Sequence, residues 1–233
     1  MMRIRRSADR GQVDHGWLVT RHTFSWDDFQ DPAWERFGHL EVINEDRVQG
    51  GQGFKTHGHE DMEIITYVVS GAVEHRDSLG TVSIMHAGDV QRMSAGTGVT
   101  HSELSHFPDT VAHFLQIWIE PDRLKTAPAY DQRHFHEDTK RNRLQLIASS
   151  DGRDGSIAIQ QDAIIHASLL DPGHAVAWES WSERRTWIQV VAGGLTVNGH
   201  PLTAGDGAAV TAHERLAMTT ETGAEFLLFD LAL

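Results

Sequence analysis

Residues 67–90 read YVVSGAVEHRDSLGTVSIMHAGDV, and residues 189–207 repeat the same outline as QVVAGGLTVNGHPLTAGDG. In each copy a strand that ends in Val-Val-x-Gly leads through a hairpin to Ala-Gly-Asp. The rest of the chain also carries short apolar runs that glycine, aspartate and serine interrupt. Such runs are typical of an all-β sandwich or barrel, and a repeated hairpin indicates a duplicated unit. The sequence therefore predicts two tandem β-barrels.

The repeat can be anchored on its glycines and aspartates. Gly71 corresponds to Gly193, and Asp89 corresponds to Asp206. The glycine and the aspartate lie 18 positions apart in the first copy and 13 positions apart in the second, so the second hairpin is shorter. Because Gly-Asp turns are common, a chance match between two generic hairpins is the alternative explanation.

The composition narrows the classes of function. The chain has 233 residues, a formal net charge of −13 and no cysteine. The charge argues against nucleic-acid binding, which requires clustered lysine and arginine, and the lack of cysteine excludes disulfides, iron–sulfur clusters and a cysteine nucleophile. Neither a membrane-spanning apolar run nor a secretory signal is recognised, so a cytoplasmic location is expected. The 16 histidines make imidazole and carboxylate the strong metal ligands of this chain.

Two pairs of candidate metal ligands alternate along predicted strands. His57 and His59 lie in the stretch GFKTHGHEDME, and His101 and Glu103 end the stretch MSAGTGVTHSE. Since side chains two apart on a strand point to the same face, each pair can face the interior of a barrel. Together the pairs would form a site with three nitrogens, one oxygen and open positions, which suits iron, manganese, nickel, copper or zinc.

Other candidate ligands have weaker support. Glu63 follows the same alternation and is either a fifth ligand or a residue that orients an imidazole. His134 and His136 also alternate, but no second ligand pair follows them, and we expect them to be solvated residues of a connection. The remaining histidines considered lack a paired partner and are expected to be ordinary strand, turn or surface residues: His39, His75, His86, His106, His113, His174, His200 and His213.

The second copy of the repeat serves as an internal comparison. Counted from the anchor residues, the four ligand positions fall on Glu179, Trp181, Met218 and Thr220. These residue types do not form a metal-ligand set, so we expect a single metal in the N-terminal barrel.

The chain divides into three predicted parts. Residues 1–120 are the metal-binding N-terminal barrel, and residues 144–233 are a C-terminal barrel without metal ligands. Between them, residues 121–143 are polar and contain both proline and charge, which is typical of an interdomain connection with one short helical turn.

Three stretches closely resemble the pirin family of the cupin superfamily. They are HGWLVTRHTFSWDDFQDPAWERFGHLEVINEDRV (15–48), GFKTHGHEDMEIITYVVSGAVEHRDSLG (53–80) and MSAGTGVTHSE (93–103). The resemblance implies a bicupin, with two tandem barrels of the jelly-roll (double-stranded β-helix) type, the second of them metal-free. It also places His57, His59, His101 and Glu103 on the family's metal ligands.

Among pirins, the chain most resembles the bacterial pirin-like proteins with quercetin 2,3-dioxygenase activity. This resemblance implies an oxidoreductase that opens the heterocyclic ring of a flavonol such as quercetin with O₂ and releases carbon monoxide. One divalent metal is implied, with Fe(II) favoured and Zn, Ni, Cu and Mn as alternatives, and Glu103 would be the catalytic base. The expected partners are a flavonol-like aromatic substrate and O₂, without nucleic acid or membrane, and the chain is expected to be a monomer.

Two other classes of function fit the same residues. Animal pirins are nuclear proteins that modulate transcription factors, so the metal could belong to a redox sensor that acts through a protein partner. The other alternative is a non-redox cupin isomerase, in which the metal only polarises a carbonyl group. The fold alone does not separate these classes.

Overall fold

The computed structural model describes residues 2–233 and consists almost entirely of β-strands. The first twelve strands are β1 Met2–Arg5, β2 Gly11–Asp14, β3 Leu18–His22, β4 Leu40–Val48, β5 Gly53–His59, β6 Glu63–Ser70, β7 Ala72–Asp77, β8 Val82–His86, β9 Asp89–Ser94, β10 Val99–Ser105, β11 Ala112–Ile119 and β12 Ala129–His134. After the helix α1 Glu137–Lys140 come β13 Gln145–Ser149, β14 Ile157–Ala158, β15 Ala163–Leu170, β16 Ala175–Ser180, β17 Arg184–Val197, β18 His200–Thr203, β19 Gly207–Val210, β20 Glu214–Thr219 and β21 Ala224–Ala232. Two short 3₁₀ turns lie at Ser7–Asp9 and Arg153–Gly155. Within residues 2–233, no helix has the length and apolar character needed to cross a membrane.

The strands form two barrels in tandem. In the first barrel, a seven-stranded sheet with the order β12-β9-β6-β11-β4-β3-β2 and a four-stranded sheet with the order β5-β10-β7-β8 enclose one interior. The second barrel is built from a ten-stranded sheet, in which the long strand β17 pairs with β18, β19, β20 and β21. Antiparallel strands folded over one interior are characteristic of the cupin jelly roll. The predicted bicupin fold is therefore confirmed.

The anchor residues of the repeat have the same structural role in both barrels. Gly71 and Gly193 have φ angles of +75° and +73°, and an added Cβ would lie 2.6 Å and 2.1 Å from a backbone carbonyl oxygen. Only glycine fits such a position. Asp89 Oδ2 accepts a hydrogen bond of 2.8 Å from the backbone N–H three residues before it, and Asp206 Oδ2 accepts an equivalent bond of 3.0 Å. Shared backbone requirements argue against a chance match of two hairpins.

Two strands cross the predicted division of the chain. β12 lies inside the predicted connection, yet it pairs along its length with β9 of the first barrel. β1 lies in the predicted first barrel, yet it pairs with β19 of the second. The short helical turn of the connection is α1. The boundaries at 120 and 144 remain a prediction, while the N-terminal strand joins the sheet of the second barrel and the connection adds a strand to the first.

The hydrophobic core runs from one barrel into the other. Trp187 of β17 is fully buried, and the centroid of its ring lies 5.0 Å from that of Phe24, 5.8 Å from that of Trp34 and 5.6 Å from that of Phe37. These three aromatic residues precede β4 and belong to the N-terminal part of the chain. Packed aromatic pairs stabilise beyond the area that they bury, so one shared hydrophobic cluster joins the two barrels.

The interior of the second barrel is apolar at three of the four positions where the first carries its candidate ligands, and the fourth position, that of His59, is occupied by Ser180. Strand pairing gives these equivalents: Trp178 for His57, Leu216 for His101 and Met218 for Glu103. All three equivalents pack in one hydrophobic cluster. The equivalents counted from the anchor residues were therefore wrong in register, because the ligands lie on other strands and the intervening turns differ in length.

His166 of β15 lies against this apolar interior. Its ring centroid is 5.1 Å from that of Trp178, and its Nδ1 atom is buried. Burial, with a smaller contribution from Arg153, lowers the pKa of His166 from 6.5 to about 4. Protonation is thus disfavoured in the folded state, so the contribution of His166 to stability is complete above pH 6.5 and is lost as the pH falls through 4.

Replacing His166 with phenylalanine should make the free energy of unfolding less dependent on pH in acid. Between pH 7 and pH 4.5, we expect the decrease in the free energy of unfolding to be smaller in His166→Phe than in the wild type, by on the order of 1–2 kcal/mol. Urea unfolding of both proteins at the two pH values measures this difference. An identical pH dependence of the two proteins would contradict a neutral, half-buried His166.

Candidate metal centre

Three of the sequence-predicted ligands meet on neighbouring strands. β5 is the edge strand of the four-stranded sheet and carries His57 and His59, and β10 beside it carries His101. The pairing of β5 with β10 sets His57 directly opposite His101. Because the side chains of alternate residues share a face, His59 joins the same group. The alternation in the sequence therefore brings the three imidazoles together.

The three imidazoles form a compact cluster of nitrogen donors. One nitrogen of each ring lies within 4.8 Å of a nitrogen of the others, and the Nε2 atoms of His57 and His101 are 3.1 Å apart. His57 Nδ1 donates a hydrogen bond of 2.7 Å to the carbonyl oxygen of Lys55. A neutral imidazole has one hydrogen, so the Nε2 atom of His57 presents its lone pair to the cluster. Lone pairs that converge in this way fit a divalent cation.

The protonation states of the cluster also suit a metal. Burial, with the nearby His57 as a second cause, lowers the pKa of His59 to about 4 and that of His101 to about 3. Both rings are therefore neutral at physiological pH. Because only the neutral imidazole binds a metal, no proton needs to leave these two rings when an ion enters.

Glu103 lies beside the imidazole cluster and is held by neutral donors. It is 3% exposed, and its carboxylate accepts hydrogen bonds from Gln116 Nε2 at 2.7 Å and from Thr66 Oγ1 at 3.3 Å. Burial, reinforced by the charge of Asp46, raises the pKa of Glu103 to about 7, although the two hydrogen bonds oppose this shift. One carboxylate oxygen lies within 4.8 Å of nitrogens of His101 and His75, but Glu103 does not meet that limit together with His57 and His59. Glu103 therefore lines the site, and its ligation remains a prediction.

Glu63 lies outside the metal centre. It is 1% exposed, and its Oε2 atom accepts a hydrogen bond of 3.1 Å from the backbone N–H of Gln160, in the second half of the chain. Glu63 is not part of the potential metal-binding groups of residues 2–233. Burial raises the pKa of Glu63. Its observed role is to connect the two halves of the chain.

His75, which was not predicted as a site residue, also lies beside the candidate ligands. His75 is directly opposite Glu103 on β7, and Asp77 on the same strand is directly opposite His101. The signal for this pair was present in the sequence, since His75 and Asp77 alternate as the two ligand pairs do. The expectation that His75 is an ordinary strand residue was therefore wrong.

His134 and His136 lie away from the metal centre. His134 closes β12, and its Nδ1 atom lies 2.7 Å from Asp89 Oδ1, at the anchor turn of the first repeat. The ring of His136 packs edge-on against that of His134, with 4.4 Å between the centroids. Neither belongs to a potential metal-binding group of the described chain. His134 contributes to a structural turn.

A cavity of about 820 Å³ opens from the imidazole cluster. It has two aromatic walls: Trp17 and Phe54 pack edge to face at 5.5 Å, and Trp26 and Trp118 at 4.7 Å. The ring of Trp118 also lies 4.9 Å from that of His59. Of the two apolar residues that flank the His57–His59 pair, Phe54 lines the cavity, whereas Met62 packs beside it with Ile64 and Trp118. The cavity is therefore suited to a flat aromatic ligand beside the nitrogen donors.

These features define the class of protein as a bicupin with one candidate site for a divalent metal. Comparison with known proteins gives the family. Residues 2–119 match the family described as Pirin, and residues 146–231 match the quercetinase C-terminal cupin domain. The chain belongs to the pirin family, as the sequence resemblance indicated.

The relatives include enzymes and solved structures of bacterial pirins. The quercetin 2,3-dioxygenase of Escherichia coli strain K12 is 42% identical over 231 residues, which cover 99% of each chain. A pirin-like protein of Caulobacter vibrioides is 38% identical over 224 residues, covering 95% of this chain and 96% of the relative. The crystal structure of the bacterial pirin YhhW of Escherichia coli in complex with nickel(II) has a TM-score of 0.94 and 41% identity, covering 100% of this chain and 99% of that chain.

Proposed function

We propose that this protein is a metal-dependent dioxygenase that opens the heterocyclic ring of a flavonol with O₂ and releases carbon monoxide. The observation that carries the proposal is a cluster of three imidazoles at one side of a large cavity with aromatic walls. The dioxygenase name of a relative with 42% identity over nearly the full length supports it. A regulatory site that only senses redox state would not need a cavity of this size.

The residues that would hold the metal are His57, His59, His101 and Glu103. When bound, a divalent ion would supply Lewis acidity toward an enol oxygen of the substrate. Two of the three imidazoles supply neutral donors, since burial keeps the pKa of His59 and His101 far below neutrality. The choice of ion is open to Fe(II), Ni, Cu, Mn and Zn on this donor set.

Glu103 would accept the hydroxyl proton of the substrate and later release it. Flavonols carry a 3-hydroxyl group beside a 4-carbonyl group, and the hydroxyl proton must leave before the ring becomes electron-rich enough to react with O₂. The raised pKa of Glu103, about 7, is close to the value at which a carboxylate both accepts and releases a proton at neutral pH. Gln116 and Thr66 hold the carboxylate in place during this transfer.

The aromatic walls would orient a flat substrate and exclude water. Trp118 contacts the ring of His59, so a planar group against Trp118 lies next to the nitrogen cluster. Trp17 and Phe54 also line the cavity. Stacking and edge contacts with these rings are favourable for an aromatic ligand.

Oxygen consumption with detection of carbon monoxide tests the proposed reaction. The protein is reconstituted in turn with Fe(II), Mn, Ni, Cu or Zn and mixed with quercetin. We expect metal-dependent O₂ uptake with release of carbon monoxide in equal amount. One bound metal per chain without turnover for any of the five ions would overturn the dioxygenase proposal.

Replacing Glu103 with glutamine should separate proton transfer from metal binding. The amide keeps the shape of the side chain and accepts no proton, so we expect kcat to fall by roughly 100-fold or more while part of the metal is retained. Steady-state kinetics and metal analysis of the same preparation measure the two effects. Glu63→Gln, another buried carboxylate of the first barrel, is the matched control and should keep its rate. Unchanged turnover in Glu103→Gln would remove Glu103 from the mechanism.

A further inference from the structure

A histidine–carboxylate pair of fixed geometry lies behind the imidazole cluster. His75 Nε2 is 3.0 Å from Asp77 Oδ2, and neither side chain has exposed surface. Asp77 Oδ1 also accepts hydrogen bonds of 2.9 Å from the backbone N–H groups of Leu79 and Thr81. A carboxyl group surrounded by three donors is an ionised acceptor. The hydrogen between His75 and Asp77 therefore belongs to His75 Nε2.

This hydrogen bond fixes the tautomer of His75. A neutral imidazole with its hydrogen on Nε2 has only a lone pair on Nδ1. His75 Nδ1 is buried and has no hydrogen-bond partner among the described residues, and the same holds for His101 Nδ1. The centroids of the two rings are 5.3 Å apart, and a nitrogen of one lies within 4.8 Å of a nitrogen of the other. An acceptor without a donor thus lies beside the ring of a candidate ligand.

Ligation of a metal by His101 Nε2 also fixes the tautomer of His101. Its Nε2 atom is 3.1 Å from His57 Nε2, within the imidazole cluster. To ligate a metal there, His101 must present a lone pair on Nε2 and carry its hydrogen on Nδ1. Metal-bound histidines usually donate that second N–H to a carboxylate, a carbonyl or water. For His101, the acceptor that the fixed tautomer provides is His75 Nδ1.

We infer that His75, fixed in one tautomer by Asp77, is a positioning residue that keeps His101 Nε2 free to ligate the metal. The hydrogen of His101 Nδ1 is accepted directly by His75 Nδ1 once the two rings, 5.3 Å apart between centroids, align, because both atoms are buried and leave no room for a bridging water. The chain of hydrogen bonds runs from Asp77 through His75 to His101, each member fixing the tautomer of the next. The inference rests on the proposed metal site and does not depend on the proposed reaction.

Tyr130 holds the other side of His75. The two ring centroids are 4.8 Å apart with an angle of 35° between the planes, and the Tyr130 hydroxyl donates a hydrogen bond of 2.9 Å to Gln132. Tyr130 belongs to β12, within the segment that the sequence assigns to an interdomain connection. That segment therefore supports the metal centre from behind.

Two substitutions of His75 distinguish positioning from packing. Phenylalanine keeps the aromatic contact with Tyr130 and removes both polar atoms. Glutamine loses the ring, but its amide N–H can still donate to Asp77 and its carbonyl oxygen can accept from His101. Positioning predicts that nickel(II) affinity, measured by competition with a chelator, falls 10–100-fold in His75→Phe and stays within about threefold of the wild type in His75→Gln. A purely structural role of the ring predicts the opposite order.

Asp77→Asn provides a second variant that preserves the local loop. The asparagine carbonyl oxygen can still accept from the N–H groups of Leu79 and Thr81, while its amide donates to His75 Nε2. This donation moves the hydrogen of His75 to Nδ1, where it opposes the N–H of His101. We expect nickel affinity to fall at least as far as in His75→Phe, with little change in the urea midpoint of the metal-free protein.

A spectroscopic measurement reports the hydrogen bond itself. In cobalt(II)-loaded protein, proton NMR detects the shifted, exchangeable N–H resonances of metal-bound imidazoles. The resonance of His101 should exchange slowly with solvent in the wild type and in His75→Gln, and quickly in His75→Phe. His106→Phe is the matched control, because His106 makes a similar contact of 3.1 Å with Glu74, also on β7, and it should change neither affinity nor exchange.

The outcomes separate this inference from the proposed function. Wild-type affinity in both His75→Phe and Asp77→Asn, or equal weakening by phenylalanine and glutamine, would overturn the positioning role. A wild-type protein that binds neither nickel nor cobalt would overturn the metal site and this inference together. Metal binding with the expected order of variants but without quercetin turnover would overturn only the dioxygenase proposal and would support the positioning role.

Discussion

The affinity for a divalent metal will fall by more than about 100-fold when His101 is replaced with alanine, a larger loss than that expected for an outer residue. His101 is the most deeply buried of the three clustered imidazoles, and its Nε2 atom faces that of His57 at 3.1 Å. Without it, His57 and His59 remain on an edge strand as a two-nitrogen site. Elemental analysis after dialysis, together with nickel titration, measures the loss.

The same variant should keep its fold. Alanine at this position shortens a side chain that lines the open cavity, so we expect the metal-free protein to lose little stability. Because His101 lies in the first barrel, the second barrel should retain its hydrogen-exchange protection. His136→Ala is the control, since His136 is exposed and outside the cluster. Full metal content in His101→Ala would refute its assignment as a ligand.

The free energy of unfolding will decrease by about 3–5 kcal/mol when Trp187 is replaced with alanine, the usual cost of removing a large buried aromatic side chain. Trp187 is fully buried and packs against Phe24, Trp34 and Phe37. Since these rings belong to the other half of the chain, both barrels should lose stability together. Urea unfolding followed by circular dichroism gives the free energy, and hydrogen exchange by mass spectrometry assigns it to each barrel.

The exposed Trp181 provides the control for this prediction. Its side chain is 48% exposed, so Trp181→Ala should change the free energy of unfolding by no more than about 0.5 kcal/mol. A Trp187→Ala protein in which only the second barrel loses exchange protection would contradict a shared core.

Local signals in the sequence were sufficient to predict the fold and most of the site. Gly71 and Gly193 are required by backbone conformation, so the repeat is visible without knowledge of strand pairing. His57 and His59 are two apart on one strand, and their common face follows from the geometry of a strand. These features depend on neighbours along the chain.

The features that sequence reasoning missed depend on pairing between distant strands. His75 reaches the site because β7 pairs with β10, and this register cannot be counted along the chain. Glu63 was misplaced because the turn between β5 and β6 shifts the alternation. On β6, Ile65 and Tyr67 share its parity and lie in the core that joins the barrels. Alternation is therefore reliable within one strand and is lost at each turn.

The pairing of β1 with β19 has a consequence for the order of events during synthesis. Arg5 pairs with Gly207, so about two hundred residues must leave the ribosome before the first strand finds its partner. The same holds for Arg10, which bonds to Glu45 and to the carbonyl oxygen of Gly205. Its contact with Gly205 cannot form until that residue has been synthesised. Domains generally fold as units from the N-terminus during translation. In this chain the first barrel can fold early, but the contacts of its N-terminal residues with the second barrel form only after that barrel is complete.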